Sequence, residues 1–253
     1  AQLFLDEPFK EHTFELGTEI SHINYKEPGL MEEEGMMYGL VGSYTYRPWT
    51  APGRYSEEWD KFMFRLEGEA SYGEMDYASL GTGTAKNIED YMLELRGLAG
   101  YDFLLWDSFT LTPFAGAGCR YLNDDGSGKL TTTGHYGYER ESRYIYSPIG
   151  AVFAFRVNRR WTLRLKAEYD YFWRGKQISH LSENPAYSDA TNTQKRGYGC
   201  RASIELQKKG KKIDFVVAPF IKYWDIKRSE ASETYWFGFP ITGWEPKNHS
   251  TEI

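Results

Sequence analysis

Cysteine is scarce in this 253-residue chain: only Cys119 and Cys200 occur, with no C-x-x-C pair. That excludes a zinc or iron–sulfur site built on thiolates. Long apolar runs are also missing. The longest, Phe215 to Ile221, has seven residues, whereas a membrane-spanning helix needs about 20. A membrane barrel remains open, because its strands need an apolar residue only at every second position. There is no basic excess. The net charge of -6 speaks against nucleic acid, which asks for a basic stripe. No Pro/Ser-rich linker divides the chain, so a single domain over 1–253 is expected. No charged-then-apolar leader precedes Ala1-Gln2, as expected of a mature product whose signal peptide has been removed.

Aromatics are abundant: 20 Tyr, 15 Phe and 8 Trp make up 17% of the chain, too many for a disordered polymer. They are placed with period two. Over Trp161–Arg174 one face reads Trp161, Leu163, Leu165, Ala167, Tyr169, Tyr171 and Trp173. The other reads Thr162, Arg164, Lys166, Glu168, Asp170, Phe172 and Arg174. Successive strand side chains point to opposite faces, so this segment predicts a strand with one apolar and one charged face. Lys61–Tyr72 and Tyr91–Tyr101 repeat the pattern. Weaker versions cover Thr13–Tyr25, Gly35–Arg47, Phe109–Leu122, Ser142–Val157, Lys195–Gln207 and Ile213–Trp224. Nine strands result, each longer than the roughly five or six residues of an ordinary globular strand.

The connections alternate in length. Lys26–Glu34, Glu74–Asn87, Asn123–Glu141 and Gly175–Gln194 read as long polar loops. Asp102–Ser108, Asn158-Arg159-Arg160 and Lys208–Lys212 read as short turns, with Pro48–Asp60 the exception. An up-and-down meander then gathers the long loops at one end. A tenth strand is expected from one of two places. Glu233–Trp244 is one, although Pro240 argues against a central strand. The other begins near Ser250 and runs past Ile253, leaving Ser229–His249 as a loop; the second is favoured.

Aromatics bracket the apolar faces: Phe62 and Tyr72, Tyr91 and Tyr101, Trp161 with Tyr171 and Trp173. Those spacings fit an apolar band of roughly 25 Å with an aromatic girdle at each interface. A soluble barrel would instead turn its charges to water and fill its interior with tapered apolar side chains. The charged face therefore lines a narrow lumen. Its members are Arg65, Glu67, Glu69, Glu94, Arg96, Arg164, Lys166, Glu168, Asp170, Arg174, Arg201, Glu205 and Lys222. Both signs are nearly balanced, as they must be where an unpaired buried ion costs several kcal/mol. The fold class is all-β: a transmembrane, antiparallel, up-and-down barrel of ten strands in a Gram-negative-type outer membrane.

On this pattern the whole chain resembles bacterial outer-membrane β-barrel proteins. The strand number narrows the resemblance to omptin-like proteases and to small structural or adhesive barrels of the OmpA type. Omptin-like catalysis would imply two aspartates at the outer rim and an Asp/His pair opposite. Gly73-Glu74-Met75-Asp76 holds a single Asp, and Tyr171–His180 contains no Asp-x-His. The catalytic residues do not carry over.

Other candidate sites are weak by spacing. His12, His22, His135, His180 and His249 read as solvated groups, and a metal site from His135 and His180 has no ligand spacing behind it. Glu27, Glu32, Glu33 and Glu34 read as a solvated acidic loop that could hold a divalent cation near lipopolysaccharide. Asn123–Gly128 lacks the terminal Glu of a calcium loop and reads as a turn. Tyr235–Phe239 is either the closing strand or an aromatic loop tip. Cys119 and Cys200 are expected as free thiols facing lipid, too far apart to be bridged. No cofactor, metal or catalytic set is expected. The reading is a non-enzymatic envelope protein that contacts outer-membrane lipid and lipopolysaccharide, and a protein partner through its loops. A narrow channel lined by Gly17, Gly39, Gly100, Gly116 and Gly118 is the alternative, followed by an enzyme acting on peptide or lipid.

Overall fold

The computed structural model describes residues 9–48, 61–106 and 108–253. The alternating segments form strands, because period two puts like side chains on one face of an extended chain. In chain order they are β1 (His12–Glu27), β2 (Met31–Tyr46), β3 (Phe62–Ser79), β4 (Gly83–Tyr101) and β5 (Phe103–Trp106). There follow β6 (Phe109–Asp125), β7 (Glu139–Arg156), β8 (Trp161–Ser179), β9 (Ala190–Gln194) and β10 (Gly197–Lys208). The last are β11 (Phe215–Val217), β12 (Phe220–Ile226), β13 (Ser232–Trp236), β14 (Phe239–Gly243) and β15 (Asn248–Glu252).

Ten of these pair antiparallel in the order β1-β2-β3-β4-β6-β7-β8-β10-β12-β15, and β15 returns to β1. The sheet closes into a barrel. Closure leaves no free edge across the membrane, which is why a spanning sheet takes this form. Of the two readings of the tenth strand, the second holds. Glu233–Trp244 stands outside the ring as the β13–β14 hairpin, with Pro240 opposite Tyr235 on a two-stranded edge where a missing N–H is tolerated. Asn248–Glu252 closes the ring, Glu252 facing Lys222 on one side and Ile23 on the other. His22 and Ile253 exchange backbone hydrogen bonds of 2.8 and 3.0 Å. Because β15 is short, it covers only the outer part of β1.

Two expected loops are mostly strand. Register continues to Glu27↔Met31 and to Ser79↔Gly83, so Lys26–Glu34 and Glu74–Asn87 shrink to tight turns. Gly29 and Gly83 carry φ of 79° and 81° there, a conformation that costs glycine little. The expected strand Ile213–Trp224 is interrupted between β11 and β12 at Pro219, which has no N–H to give; its carbonyl still accepts from Ile204 at 3.0 Å. Beyond Pro48, the expected connection Pro48–Asp60 lies outside the described residues. The turns β1–β2 and β3–β4 share one end with the longer connections β6–β7, β8–β10 and β12–β15. We call it the outer end.

Exposure decides which face meets lipid. Along β4, Leu95 is 53% exposed whereas Arg96 is 7% exposed. The leucines point out and the charges point in. Outward aromatics form two belts. Tyr91 meets Tyr121 at a tilt and Tyr171 meets Trp173 edge-on at the outer level; Phe62 meets Tyr101 and Phe109 meets Phe155 at the inner level. One expected lumen charge is misplaced. Between Ile145 and Tyr146 the β7–β8 register skips Trp173, a bulge that shifts the alternation by one. Arg174 is therefore exposed on the outside, while Phe172 is buried within. Both thiols are free and exposed on the outer wall, as expected.

The orientation is testable at one position. Leu95→Arg places a cation midway between the belts and should cost about 2–4 kcal/mol of stability in lipid vesicles. Urea unfolding followed by heat-modifiable gel migration should show it, with Leu95→Ile close to the parent.

Candidate functional site

The lumen is organised by pairs that face one another across neighbouring strands. Register sets Glu67 opposite Arg96, Arg164 opposite Glu205, and Arg201 between Glu168 and Lys222. Opposite charges on the same face of adjacent strands lie close enough to bond. At the inner side Arg65 reaches Glu15 and Glu67, each at 2.7 Å, and Arg164 reaches Glu205 at 3.0 Å. At mid-height Arg96 bridges Glu67 and Glu168, and Lys166 adds Glu168 at 3.2 Å. Arg201 crosses the barrel to grip both carboxylate oxygens of Glu94 at 2.6 and 2.5 Å, and holds Asp170 at 2.7 Å. Lys222 takes Glu69 at 2.7 Å, with Glu19 and Glu252 at 3.3 and 3.2 Å. Every lumen charge expected from the sequence, Arg174 excepted, has its place in this network.

Aromatics complete the layer. The Tyr146 hydroxyl donates to Glu94 at 2.6 Å, and Tyr144, Tyr146, Phe172, Trp224 and Ile226 form one buried cluster. Gly118 makes this possible: a Cβ there would lie 2.5 Å from the Tyr146 ring. Gly118 therefore seats an inward ring. Beside it Ile23, Met37, Met75, Ile88 and Met92 fill the lumen toward the outer end. Among the described residues, the lumen holds an inner cavity of about 530 Å³ and an outer one of about 770 Å³.

The outer mouth follows different rules. Arg140, on β7 beyond the outer belt, donates to Asp124 at 2.7 Å and Glu33 at 2.6 Å and lies 3.4 Å from Glu27. Asp90 and Glu245 stand beside them, only 5% and 8% exposed. One guanidinium thus faces five carboxylates. Asp90 Oδ1 and Glu245 Oε1 accept no hydrogen bond among the described residues. Burial, reinforced by Asp124, holds the Asp90 carboxyl well above its ordinary range. Burial pushes Glu33 and Glu245 up to about 8, Arg140 offsetting only part of the rise.

Several sequence candidates are rearranged here. The acidic run of the first hairpin is split by alternation. Glu27 and Glu33 point into the mouth, whereas Glu32 and Glu34 face outward, Glu32 pairing with Lys26 at 2.7 Å and both accepting from Asn24. It is not one solvated loop. His135 hydrogen-bonds Thr133 at 2.9 Å and, among the described residues, joins no metal-competent cluster with His180. His180 Nε2 meets Glu141 at 3.0 Å and Nδ1 meets Asp189 at 3.5 Å, with Glu139 close by. Burial works against its charge, but Glu141 and the neighbouring carboxylates prevail and raise its pKa. Asp76 pairs with Lys86 at 3.6 Å on the surface. Tyr235–Phe239 is a hairpin tip at the outer end, turning on Phe237 and Gly238 at φ of 47° and 80°. Arg140, Asp90 and Glu245 escaped sequence reasoning, and Asp124, expected within the turn Asn123–Gly128, lies instead on β6. For Arg140 and Asp124 the one local signal was the alternation of β6 and β7, which runs on past the aromatic belt; Asp90 lies on β4 and Glu245 between β14 and β15.

A closed ten-strand antiparallel barrel with lipid-facing leucines, aromatic belts and a charged interior is an outer-membrane β-barrel, located in the Gram-negative outer membrane. The Autotransporter beta-domain family model matches residues 26–212, and the chain belongs to that family. Among solved structures it is similar to the outer membrane protease OmpT from Escherichia coli. That match has 12% identity and a TM-score of 0.64, and covers 95% of this chain and 93% of that one. A deltaS2S3 mutant of the TodX monoaromatic hydrocarbon channel aligns at 10% identity with a TM-score of 0.34, over 93% of this chain and 75% of that one. Among curated proteins none matches.

The two ends of the charge scheme respond differently to perturbation. Arg201→Ala leaves Glu94 and Asp170 buried without their cation and should cost about 3–5 kcal/mol, seen as a lower urea midpoint in vesicles; adding Glu94→Gln should restore part of it. In the mouth, Glu33 and Glu245 keep their protons to about pH 8 when folded but only to the ordinary 4.5 otherwise. The folded state binds more protons in that window, so stability falls as pH rises from 5 to 8. Thermal unfolding at several pH values should show this slope, and Glu245→Gln should flatten it.

Proposed function

We propose that this chain is a non-conducting outer-membrane barrel that acts by binding at its outer mouth and loops and performs no catalysis. The observation that carries the reading is the mid-height layer of Arg96, Glu168, Arg201, Glu94, Tyr146 and Trp224, all buried. A solute crossing it would strip several charge-assisted bonds without replacing them, and each such bond is strong in a water-poor interior. The name of the family speaks of transport, yet passage through this lumen requires that layer to be dismantled. The similarity to a protease is one of fold alone, at 12% identity. In support of a binding role, the outer end carries exposed apolar side chains on its hairpin, Trp236, Phe237 and Phe239. Such a concentration of apolar surface suits a protein partner or lipid. Outer-membrane lipid and lipopolysaccharide surround the barrel wall in this reading.

Planar-bilayer recording tests it. The purified barrel should insert without giving a steady open level. A reproducible unitary conductance would overturn the proposal in favour of a narrow channel.

A further inference from the structure

We infer that the inner end of the barrel is a binding site for a soluble organic phosphate, an apolar body carrying a phosphate group, taken from the periplasmic side. The inference goes beyond the role proposed for the outer end. It rests on the inner cavity of about 530 Å³, bordered by the turn Asn158 to Arg160, a size usual for a small-molecule site. The charges on its wall do not balance. Its carboxylates are already engaged: Glu15 and Glu67 by Arg65, Glu205 by Arg164, and Asp214 by the Gln207 amide and the Gly210 N–H. Lys166 and Arg47 are held by Glu168 and Asp102. Lys10, Arg156 and Arg160 stand on the same wall and pair with no carboxylate among the described residues. Arg159 and Lys209, each with a contact of its own, add further positive charge.

Register aims part of this charge inward. Val152, Ala154 and Arg156 alternate onto the lumen face of β7, where Ala154 stands opposite Arg164 and Arg156 opposite Thr162. Arg156 and Arg164 are therefore diagonal neighbours of like sign, which repel on one face of a sheet. An anion between them relieves the repulsion. Guanidinium forks match the oxygens of a phosphate, so the excess of arginine selects that head group. Deeper in, the wall changes character. Met63, Leu98 and Phe114 form one apolar cluster with Val152 packed against it, and all four line the cavity. Along β7 the step from Arg156 to Val152 covers roughly 13 Å, so a cationic rim grades into an apolar floor. Inorganic phosphate would meet the rim and leave the floor wet. A phosphate on an apolar body satisfies both, because burial of that body adds its own hydrophobic gain.

The test is isothermal titration of 1-naphthyl phosphate into the full chain held in zwitterionic lipid nanodiscs, with empty nanodiscs as the blank and folding checked by heat-modifiable migration. Saturable binding is expected, weakening as salt rises. Inorganic phosphate and 1-naphthol, each with half of the recognised chemistry, should bind at least about tenfold more weakly. Arg156→Gln should lower the affinity for 1-naphthyl phosphate about tenfold, as for loss of one charge-assisted contact, and Arg160→Gln should lower it as well. Lys212→Gln, at the same end but off the cavity wall, should leave it unchanged. Should Arg156→Gln fail to fold, Arg160→Gln decides alone. The inference is overturned if 1-naphthyl phosphate does not saturate, if the arginine variants bind as the parent does, or if inorganic phosphate or 1-naphthol binds as tightly. Conductance reports on the mid-height layer and titration on the inner cavity, so failure of either proposal is visible without the other.

Discussion

A ring of strands surrounded by hydrocarbon has one place for a charge, the inside, and the inside has little water with which to solvate it. Neutrality within the lumen is therefore a condition of folding. The barrel meets it by register: Arg201 stands between Glu168 and Lys222 on adjoining strands, and Glu67 stands opposite Arg96. Contacts across the lumen, such as Arg201 to Glu94, tie strands that are not neighbours. Such a network adds little net stability, since desolvation offsets much of the Coulombic gain. What it provides is specificity, because a strand slipped by one residue would turn its charges to lipid.

Filling follows from pairing. Ion pairs alone do not close a ten-strand lumen, and inward rings take up the remaining space. Tyr146 fits because residue 118 is glycine, and Trp224 packs edge-on against Tyr146 at 5.1 Å. The result is a layer of buried side chains at mid-height with a cavity toward each end. The outer mouth escapes the neutrality rule because protons can compensate it: Glu33 and Glu245, raised to about 8, stay protonated at neutral pH.

Much of this was legible beforehand. The strands, the lipid-facing leucines, the aromatic belts and the list of lumen charges follow from alternation, which is a local property of the chain. The exceptions have local physical causes that a strict period cannot see. A bulge at Trp173 sends Arg174 outward, and Pro219 breaks a strand in two. The loops near Glu27 and Glu74 looked polar and long, yet the barrel wall simply continues above the membrane, where an outward polar residue is as welcome as an apolar one is below.

By itself the sequence determined which face of each strand is apolar, and hence that the protein is a membrane barrel with an interior of mixed charge. Only the tertiary structure decided which charges meet. Arg201 and Glu94 lie 107 residues apart, and Arg140 gathers Glu27, Glu33 and Asp124 from three other strands. Alternation fixes the direction of a side chain but carries no information about its height or its partner across the lumen. Those depend on the closure of the ring, a property of all ten strands together.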